Sequence, residues 1–235
     1  MMQNDNVFTR ERKKPKLSVI VPAYNSAAYI RKGLDSIASQ TLKDYELIVV
    51  CDRCLDDTAR IASEYGARVF EVDFGRDGLS RDFGIDHAEG EWVMFMDDDD
   101  WFMHEYVFQL LMDIVGKHDE DILMFAYIWR GIGFTKNSTQ FVQVHAWSKC
   151  YRRSFLGDDV RFGDRPYWSD TDFFNRVMAK HPSATFVDMP MYYYNSLRRG
   201  STTDKFERGE IQRIGREGPV RNRLGYYGDF GLEQE

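Results

Sequence analysis

Apolar and polar positions divide this chain into short, unbroken apolar runs that alternate with stretches of helical period. Residues 17–21 form an apolar, β-branched run closed by Pro22, which predicts a buried strand followed by a loop. Asn25 or Ser26 can cap a helix whose apolar face carries Ile30, Leu34 and Ile37. A second strand is expected over residues 45–51. Asp56 or Asp57 then opens a helix with Ile61 and Tyr65 that stops at Gly66. Residues 67–72 read as a third strand. A loop holding Gly75 and Gly78 leads into a helix ending at Ala88, and residues 92–96 make a fourth strand. Strands alternating with helices of this length imply βαβ units, hence an α/β fold with a parallel sheet. A helix over 105–116 carries Val107, Leu110, Leu111 and Ile114 on one face, and beyond it the pattern loosens. Residues 122–129 and 141–147 read as strands, 170–180 as a helix and 191–194 as a last strand.

The fourth strand ends in four consecutive aspartates, Asp97, Asp98, Asp99 and Asp100. Adjacent carboxylates repel one another, so a folded chain keeps such a run only where it is solvated or neutralised. At the carboxyl rim of a parallel sheet it lies where open α/β sheets bind ligands. Hard divalent cations take oxygen ligands and bridge one or two carboxylates to a substrate's phosphates. An EF-hand does not fit, because Phe102 and Phe108 stand where its glycine and its bidentate glutamate belong. Three further loops share this rim: Pro22-Ala23-Tyr24-Asn25, then Cys51-Asp52-Arg53-Cys54 with Asp56 and Asp57 behind it, and residues 75–81. An aromatic, an acid, an arginine beside glycines and a carboxylate pair suffice to hold a base, a ribose, a diphosphate and a cation.

Composition narrows the class. The 235 residues are 43% hydrophobic and 15% aromatic, enough for a sizeable core and against global disorder. A net charge of −7 argues against a protein built to grip nucleic acid. Neither a signal-peptide core nor a bilayer-length apolar stretch is visible, and three cysteines cannot all pair internally. These features point to the cytoplasm. Basic residues gather at both flanks: Arg10, Arg12, Lys13, Lys14 and Lys16 at one end, and Arg198, Arg199, Lys205, Arg208, Arg213, Arg216, Arg221 and Arg223 at the other. Such flanks suit solvated tails, or a peripheral contact with anionic headgroups at the inner face of the membrane.

Ser18-Val19-Ile20-Val21-Pro22-Ala23-Tyr24-Asn25, Leu34-Asp35-Ser36-Ile37 with Gln40-Thr41, and the turn over 52–58 carry a family resemblance. So do Arg81 with Gly84, Ala88-Glu89-Gly90-Glu91, Asp97-Asp98-Asp99-Asp100-Trp101, Lys149, the segment over 151–156 and Tyr192-Tyr193-Tyr194. Over residues 16–203 the chain resembles the family-2 glycosyltransferases. These are inverting enzymes of GT-A fold: a Rossmann-like, mostly parallel sheet with helices on both faces and a smaller acceptor-side subregion. The resemblance implies a donor half over 16–101 and an acceptor half over 102–203, between a basic arm over 1–15 and a charged extension over 204–235.

It also implies the chemistry. A nucleoside-diphosphate sugar, with a lean to uridine, would give up its sugar to a hydroxyl of a glycan or lipid-linked acceptor. Pro22, Ala23, Tyr24, Asn25 and Asp52 would contact the donor's nucleoside and Arg81 its diphosphate. Asp97 and Asp99 match the family's Asp-x-Asp and would hold Mn²⁺ or Mg²⁺. Asp98 would join Asp97 on the donor side, and Asp100 would shape the loop. Asp170 takes the place of the catalytic base, with Asp172 as the second choice. Two positions depart from the family pattern. Cys51 stands where an acidic residue is usual and Ser169 replaces a glutamate, which leaves one nucleobase contact and the identity of the base open.

The remaining chemistry-bearing residues carry weaker signals. Cys51-x-x-Cys54 lies between a strand and a helix, the setting of redox pairs, although packing near the base pocket is the plainer reading. Among the histidines only His145 is a candidate for the metal site. Trp101 and Trp168 adjoin the aspartate run and the base, where an indole face could meet a sugar; Trp129 and Trp147 read as core. Two other classes compete. A sugar nucleotidyltransferase would need a glycine-rich basic loop after the first strand. A nucleotide-sugar-binding protein without catalysis is the reading that Ser169 and Cys51 motivate.

Overall fold

The structure, a computed structural model, describes residues 13–117, 119–137 and 142–196 together with residues 198, 204, 208 and 209. In chain order the elements are β1 (Leu17–Ala23), α1 (Ile30–Ala38), β2 (Tyr45–Asp52), α2 (Thr58–Glu64), β3 (Arg68–Val72), α3 (Asp77–His87), β4 (Trp92–Phe95) and β5 (Trp101–Phe102). They continue with α4 (Val107–Val115), β6 (Ile122–Trp129), β7 (Gly133–Thr135), β8 (Lys149–Arg152), α5 (Arg153–Leu156), α6 (Ser169–Ala179) and β9 (Ala184–Tyr194).

Among the described residues nine strands form one sheet in the order β3-β2-β1-β4-β8-β6-β9-β5, with β7 on β6. The pairs β1–β2, β2–β3, β1–β4 and β6–β9 are parallel, whereas β8 runs antiparallel to both β4 and β6. β1 is buried at all seven positions, because it has parallel neighbours on both edges and helices on both faces. The chain steps outward from β1 through β2 to β3 and then returns to the other side of β1 as β4. That reversal opens a crevice beyond the carboxyl ends of β1 and β4, where doubly wound sheets take their ligands.

Alternation along the strands sorts the core into two layers. Val19, Val21, Leu47 and Val49 meet Ile30, Leu34 and Ile37 of α1, Ile61 of α2 and Val107, Phe108 and Leu111 of α4. Ile20, Ile48, Val50, Val93 and Phe95 face the other way, onto Ile85 of α3 and Phe173, Phe174 and Val177 of α6. Each such aliphatic or aromatic side chain contributes about 1.5–3 kcal/mol of burial. Gly84 lets α3 come down onto β1: a Cβ there would stand 2.4 Å from the Ile20 Cγ2.

The α/β class, the first four strands and their helices, and Gly66 in the left-handed region after α2 match the sequence reading. Elsewhere the structure departs from it. Residues 142–145 form no strand, and Ala146–Ser148 is a single 3-10 turn; Phe141 lies outside the described residues. The buried Lys149 ammonium donates to the carbonyls of Gln143 and His145, which removes them as ladder acceptors. α1 starts after Tyr29, without a side-chain cap, because Asn25 and Ser26 turn toward the loop after β2 instead. β9 starts seven residues earlier than expected, at Ala184, because it pairs along the whole of β6; a register shift accommodates Pro190. Strands β5, β7 and β8 and helix α5 are too short to leave a periodic signal. Among the described residues no helix is long and apolar enough to cross a membrane. The expected arm and extension fall mostly outside the described residues.

Candidate functional site

The loops leaving β1, β2 and β3 are locked together by side chain to backbone hydrogen bonds. Asn25 adopts a left-handed conformation (φ 48°), and its Oδ1 accepts the Leu55 N–H at 2.7 Å. Asp56 accepts the Ala27 N–H at 3.0 Å. Pro22 and Ala23 are buried within β1, while Tyr24 projects from the rim 62% exposed. Asp52, expected to contact the donor's nucleoside, is tied to the loop that follows β3. Its Oδ1 accepts the N–H groups of Phe74 and Gly75, and its Oδ2 accepts the Arg76 N–H and the Ser80 hydroxyl, at 2.8–3.2 Å. Both oxygens are thereby committed to shaping the loop into α3.

The four aspartates have four different environments. The Asp97 carboxylate accepts from Arg81 at 2.7 Å, and its N–H donates to the Tyr192 hydroxyl at 3.0 Å. Asp98 accepts the Tyr24 N–H at 3.2 Å, which ties the loops after β1 and β4 across the crevice. Burial, and then the Asp99 charge, push Asp98 up to about 7. Asp99 pairs with Arg198, whose guanidinium also lies 4.5 Å over the Tyr29 ring. Asp100 is fully buried, accepting from the Tyr192 hydroxyl and the Asn195 N–H, both at 2.7 Å. Burial followed by the Asp97 and Asp99 charges raises its pKa well above the carboxylate range. Asp97, Asp98 and Asp99 therefore line the crevice, and Asp100 anchors the turn from below.

Arg81, 5% exposed, joins the aspartates to α6. It donates to Asp77 at 2.6 Å as well as to Asp97, and its buried Nε has no partner. Burial draws its pKa down, but the Asp97, Asp170 and Asp77 charges outweigh that and raise it well above the ordinary arginine value. The amino end of α6 is held against α3 by Ser169, which donates to Asp77 at 3.0 Å. A Cβ on Gly78 would stand 2.5 Å from the Gly163 carbonyl, so only glycine permits that approach. Trp168, left-handed at φ 66°, turns the chain into α6. Strain of this kind persists where the surroundings fix a side chain's position.

The two candidate bases separate clearly. Asp172 is ion-paired with Arg165 at 2.7 Å. Asp170 keeps an enclosed Oδ1 with no partner, and its Oδ2 has only a long contact, 3.4 Å, from the Ala146 N–H. Burial pushes Asp170 up to about 6; Arg81 draws it down, and Asp97 and Asp77 add to the rise. An under-solvated carboxylate with a pKa near the working range is suited to accept a proton.

Other expectations change. Tyr193 stacks on the Trp101 indole at 4.1 Å and the Lys32 ammonium lies 3.1 Å from its centroid, so both ring faces are covered in this structure. His145 stacks on Trp147, and Trp147 on Tyr192, each at 4.7 Å; burial and Lys149 push the imidazole down to about 3. It is a core histidine. Among the described residues no three His, Cys, Asp or Glu side chains form a ready metal cluster. Sequence reasoning missed Asp77, Asn195 and the position of Arg198. The basic pair Arg198-Arg199 following the tyrosine-rich strand was the available signal.

The sequence profile of glycosyl transferase family 2 matches residues 18–181. The chain belongs to this family. The uncharacterized glycosyltransferase EpsJ of Bacillus subtilis is 35% identical, with 93% of this chain and 71% of that protein aligned. The poly(ribitol-phosphate) beta-N-acetylglucosaminyltransferase TarS of Staphylococcus aureus is 28% identical over 79% of this chain. The crystal structure of TarS 1-349 in complex with UDP-GlcNAc superposes with a TM-score of 0.70 at 26% identity, covering 80% of this chain and 60% of that one. A mannosyltransferase from Pyrobaculum calidifontis, in complex with GDP-Man and Mn²⁺, shares the fold at 17% identity and a TM-score of 0.66, over 84% of this chain and 62% of that one. The chain spans 36% of the length of TarS and 31% of GlyA of Streptococcus pneumoniae, so it corresponds to one part of such relatives. The family and the sheet together establish the GT-A class of fold.

Proposed function

We propose that this domain transfers a sugar, with inversion, from a nucleoside-diphosphate sugar of the UDP type to a hydroxyl of a glycan or lipid-linked acceptor. The observation that carries the reading is the unpaired, enclosed Asp170 oxygen beside the Arg81–Asp97 pair, at the crevice where the strand order reverses. The UDP-GlcNAc complex of TarS supports a uridine donor.

Tyr24 and Asn25 border the nucleoside, and the loop shaped by Asp52 closes one side. Arg198 exchanges Asp99 for the donor's diphosphate, since a guanidinium matches phosphate oxygens in a bidentate geometry. Asp97 and Asp99 would hold a divalent cation once Arg198 leaves Asp99, because both present carboxylate oxygens to the crevice and hard metals at phosphate sites need only one or two carboxylates. When bound, Mg²⁺ or Mn²⁺ supplies Lewis-acid neutralisation of the leaving diphosphate. Asp170 takes the acceptor's proton as its oxygen attacks the anomeric carbon from the face opposite the diphosphate. A positioned base of this kind contributes about 10²–10⁴-fold. Arg81 holds Asp97 and steadies Asp170 electrostatically, and Ser169 keeps the start of α6 in place through Asp77. Trp168, next to the base, borders the acceptor side.

The test is transfer and hydrolysis across a panel of nucleotide sugars, with Mn²⁺ and with chelator. Asp170→Asn should keep nucleotide binding and lose transfer, whereas Asp172→Asn should stay within about threefold of wild type because Arg165 already engages that carboxylate. Full transfer by Asp170→Asn would overturn the assignment. Donor binding with no turnover on any donor would favour the binding-protein reading that Ser169 motivates.

A further inference from the structure

The end of β2 carries Cys51 and Cys54, both free thiols, which the transfer chemistry does not use. Between them Arg53 adopts a left-handed conformation, φ 56°, and turns the chain so that the Cys54 sulfur meets the carbonyl of Ala23, the residue that pairs with Cys51 across β1 and β2. The two thiols interact, so that Cys54 raises the Cys51 pKa and Cys51 lowers that of Cys54. Their surroundings differ. Cys51 is 1% exposed in the core, whereas Cys54 is half-buried, and both border an open depression of about 300 Å³ with Arg53, Glu71, Val72 and Asp73. The Cys54 thiol donates to the Ala23 carbonyl at 3.4 Å, and the Asn25 backbone N–H favours its thiolate.

We propose that Cys54 and Cys51 form a nucleophile and resolving pair, a thiol–disulfide exchange site for small disulfides that enter this depression. The Cys54 thiolate attacks one sulfur of a low-molecular-weight disulfide, forming a mixed disulfide and releasing one thiolate. Cys51 then loses its proton to solvent, attacks the Cys54 sulfur and expels the second thiolate. Both cysteines are oxidised and the small disulfide is reduced to two thiols, so electrons and atoms balance. The order follows from access and charge. Both cysteines border the depression, but Cys54 is half-buried where Cys51 is 1% exposed, and Cys51, then the Asn25 backbone N–H, draw the Cys54 pKa down to about 7 against burial and Asp56. Cys51 is pushed up by the Cys54 sulfur, by burial, and by Glu71 of β3 and Asp56. Bonding Cys54 into a mixed disulfide removes that neighbouring negative charge and readies Cys51 for the second step. Arg53 and Asp73 are paired with each other across the mouth of the depression.

The site reaches the crevice through Ala23 and Asn25. Oxidation takes the Cys54 proton from the Ala23 carbonyl and rotates the sulfur toward Cys51, loosening the loop that carries Tyr24. This coupling rests on the donor reading above; the thiol chemistry does not.

The intact protein is incubated with oxidised glutathione and its cysteine peptide is weighed by mass spectrometry. Wild type should yield an internal Cys51–Cys54 disulfide, and Cys51→Ser should stop at a glutathione adduct on Cys54. Carbamidomethylation of Cys54 by iodoacetamide should be half-maximal near pH 7 rather than at the ordinary thiol value of about 8.5. A Cys54 that stays unmodified, a modification confined to Cys150, or an ordinary titration midpoint would overturn the site. UDP affinity should then fall about tenfold on oxidation, the effect of one hydrogen bond, and recover with reductant. A disulfide that forms without changing UDP affinity overturns the coupling alone. No UDP binding in either redox state overturns the donor reading while the mass result stands.

Discussion

Asp170→Asn should stabilise the folded protein at the same time as it ends transfer. The carboxyl is raised from an ordinary 3.8 to about 6, chiefly by burial. Two pKa units at 1.36 kcal/mol each set an upper bound of about 3 kcal/mol on the cost of keeping the charge there. The Asp170 residue retains some exposure although its Oδ1 has none, so relaxation and water reduce the expected gain to roughly 1–3 kcal/mol. The sign depends on pH. Below the unfolded value both states are protonated and the carboxyl costs nothing. Between the two values the unfolded chain is ionised and the folded one is not, so the cost grows, reaching its full size above about 6. Denaturant unfolding of wild type and Asp170→Asn, in chelator, at about pH 8 and about pH 4 isolates this term, because any steric effect of the amide is common to both. The variant should gain stability at the higher pH relative to the lower. An equal effect at both would refute the raised pKa, and with it the argument for Asp170 as base. The same group predicts that wild-type kcat/KM falls as pH drops through about 6.

Three other outcomes follow from the geometry. Tyr192→Phe leaves the buried Asp100 carboxyl and the Asp97 N–H each short of a partner and should lower unfolding free energy by about 2–4 kcal/mol in urea titration. Gly84→Ala forces α3 away from Ile20 and should cost about 1–3 kcal/mol in the same assay. Removing divalent metal with EDTA, and Asp99→Ala in the presence of Mn²⁺, should each abolish most transfer; a variant that keeps wild-type turnover would remove Asp99 from the metal pair.

Much of the architecture was readable along the chain because βαβ units are local. β1, β2 and β4 are largely apolar runs, each intervening helix has a one-sided face, and Gly66 closes α2 by a backbone preference that needs no partner. The acceptor-side half was harder to read. There β8 and β9 owe their existence to pairing with β6, and residues 142–145 give up a ladder to the buried Lys149 ammonium from farther along the chain. The candidate site divides in the same way. An aspartate run after a buried strand, and an acid at the start of α6, are one-dimensional signals. Three distinctions needed the fold: Asp170 from Asp172, the loop-shaping role of Asp52, and the covered faces of Trp101. Each depends on groups brought together from distant parts of the chain, such as Lys32 and Tyr193 against Trp101, or Arg198 against Asp99. Residue order sets which chemistry is available, but the ionisation and availability of a carboxylate are set by burial and neighbouring charge, which exist only once the chain has folded.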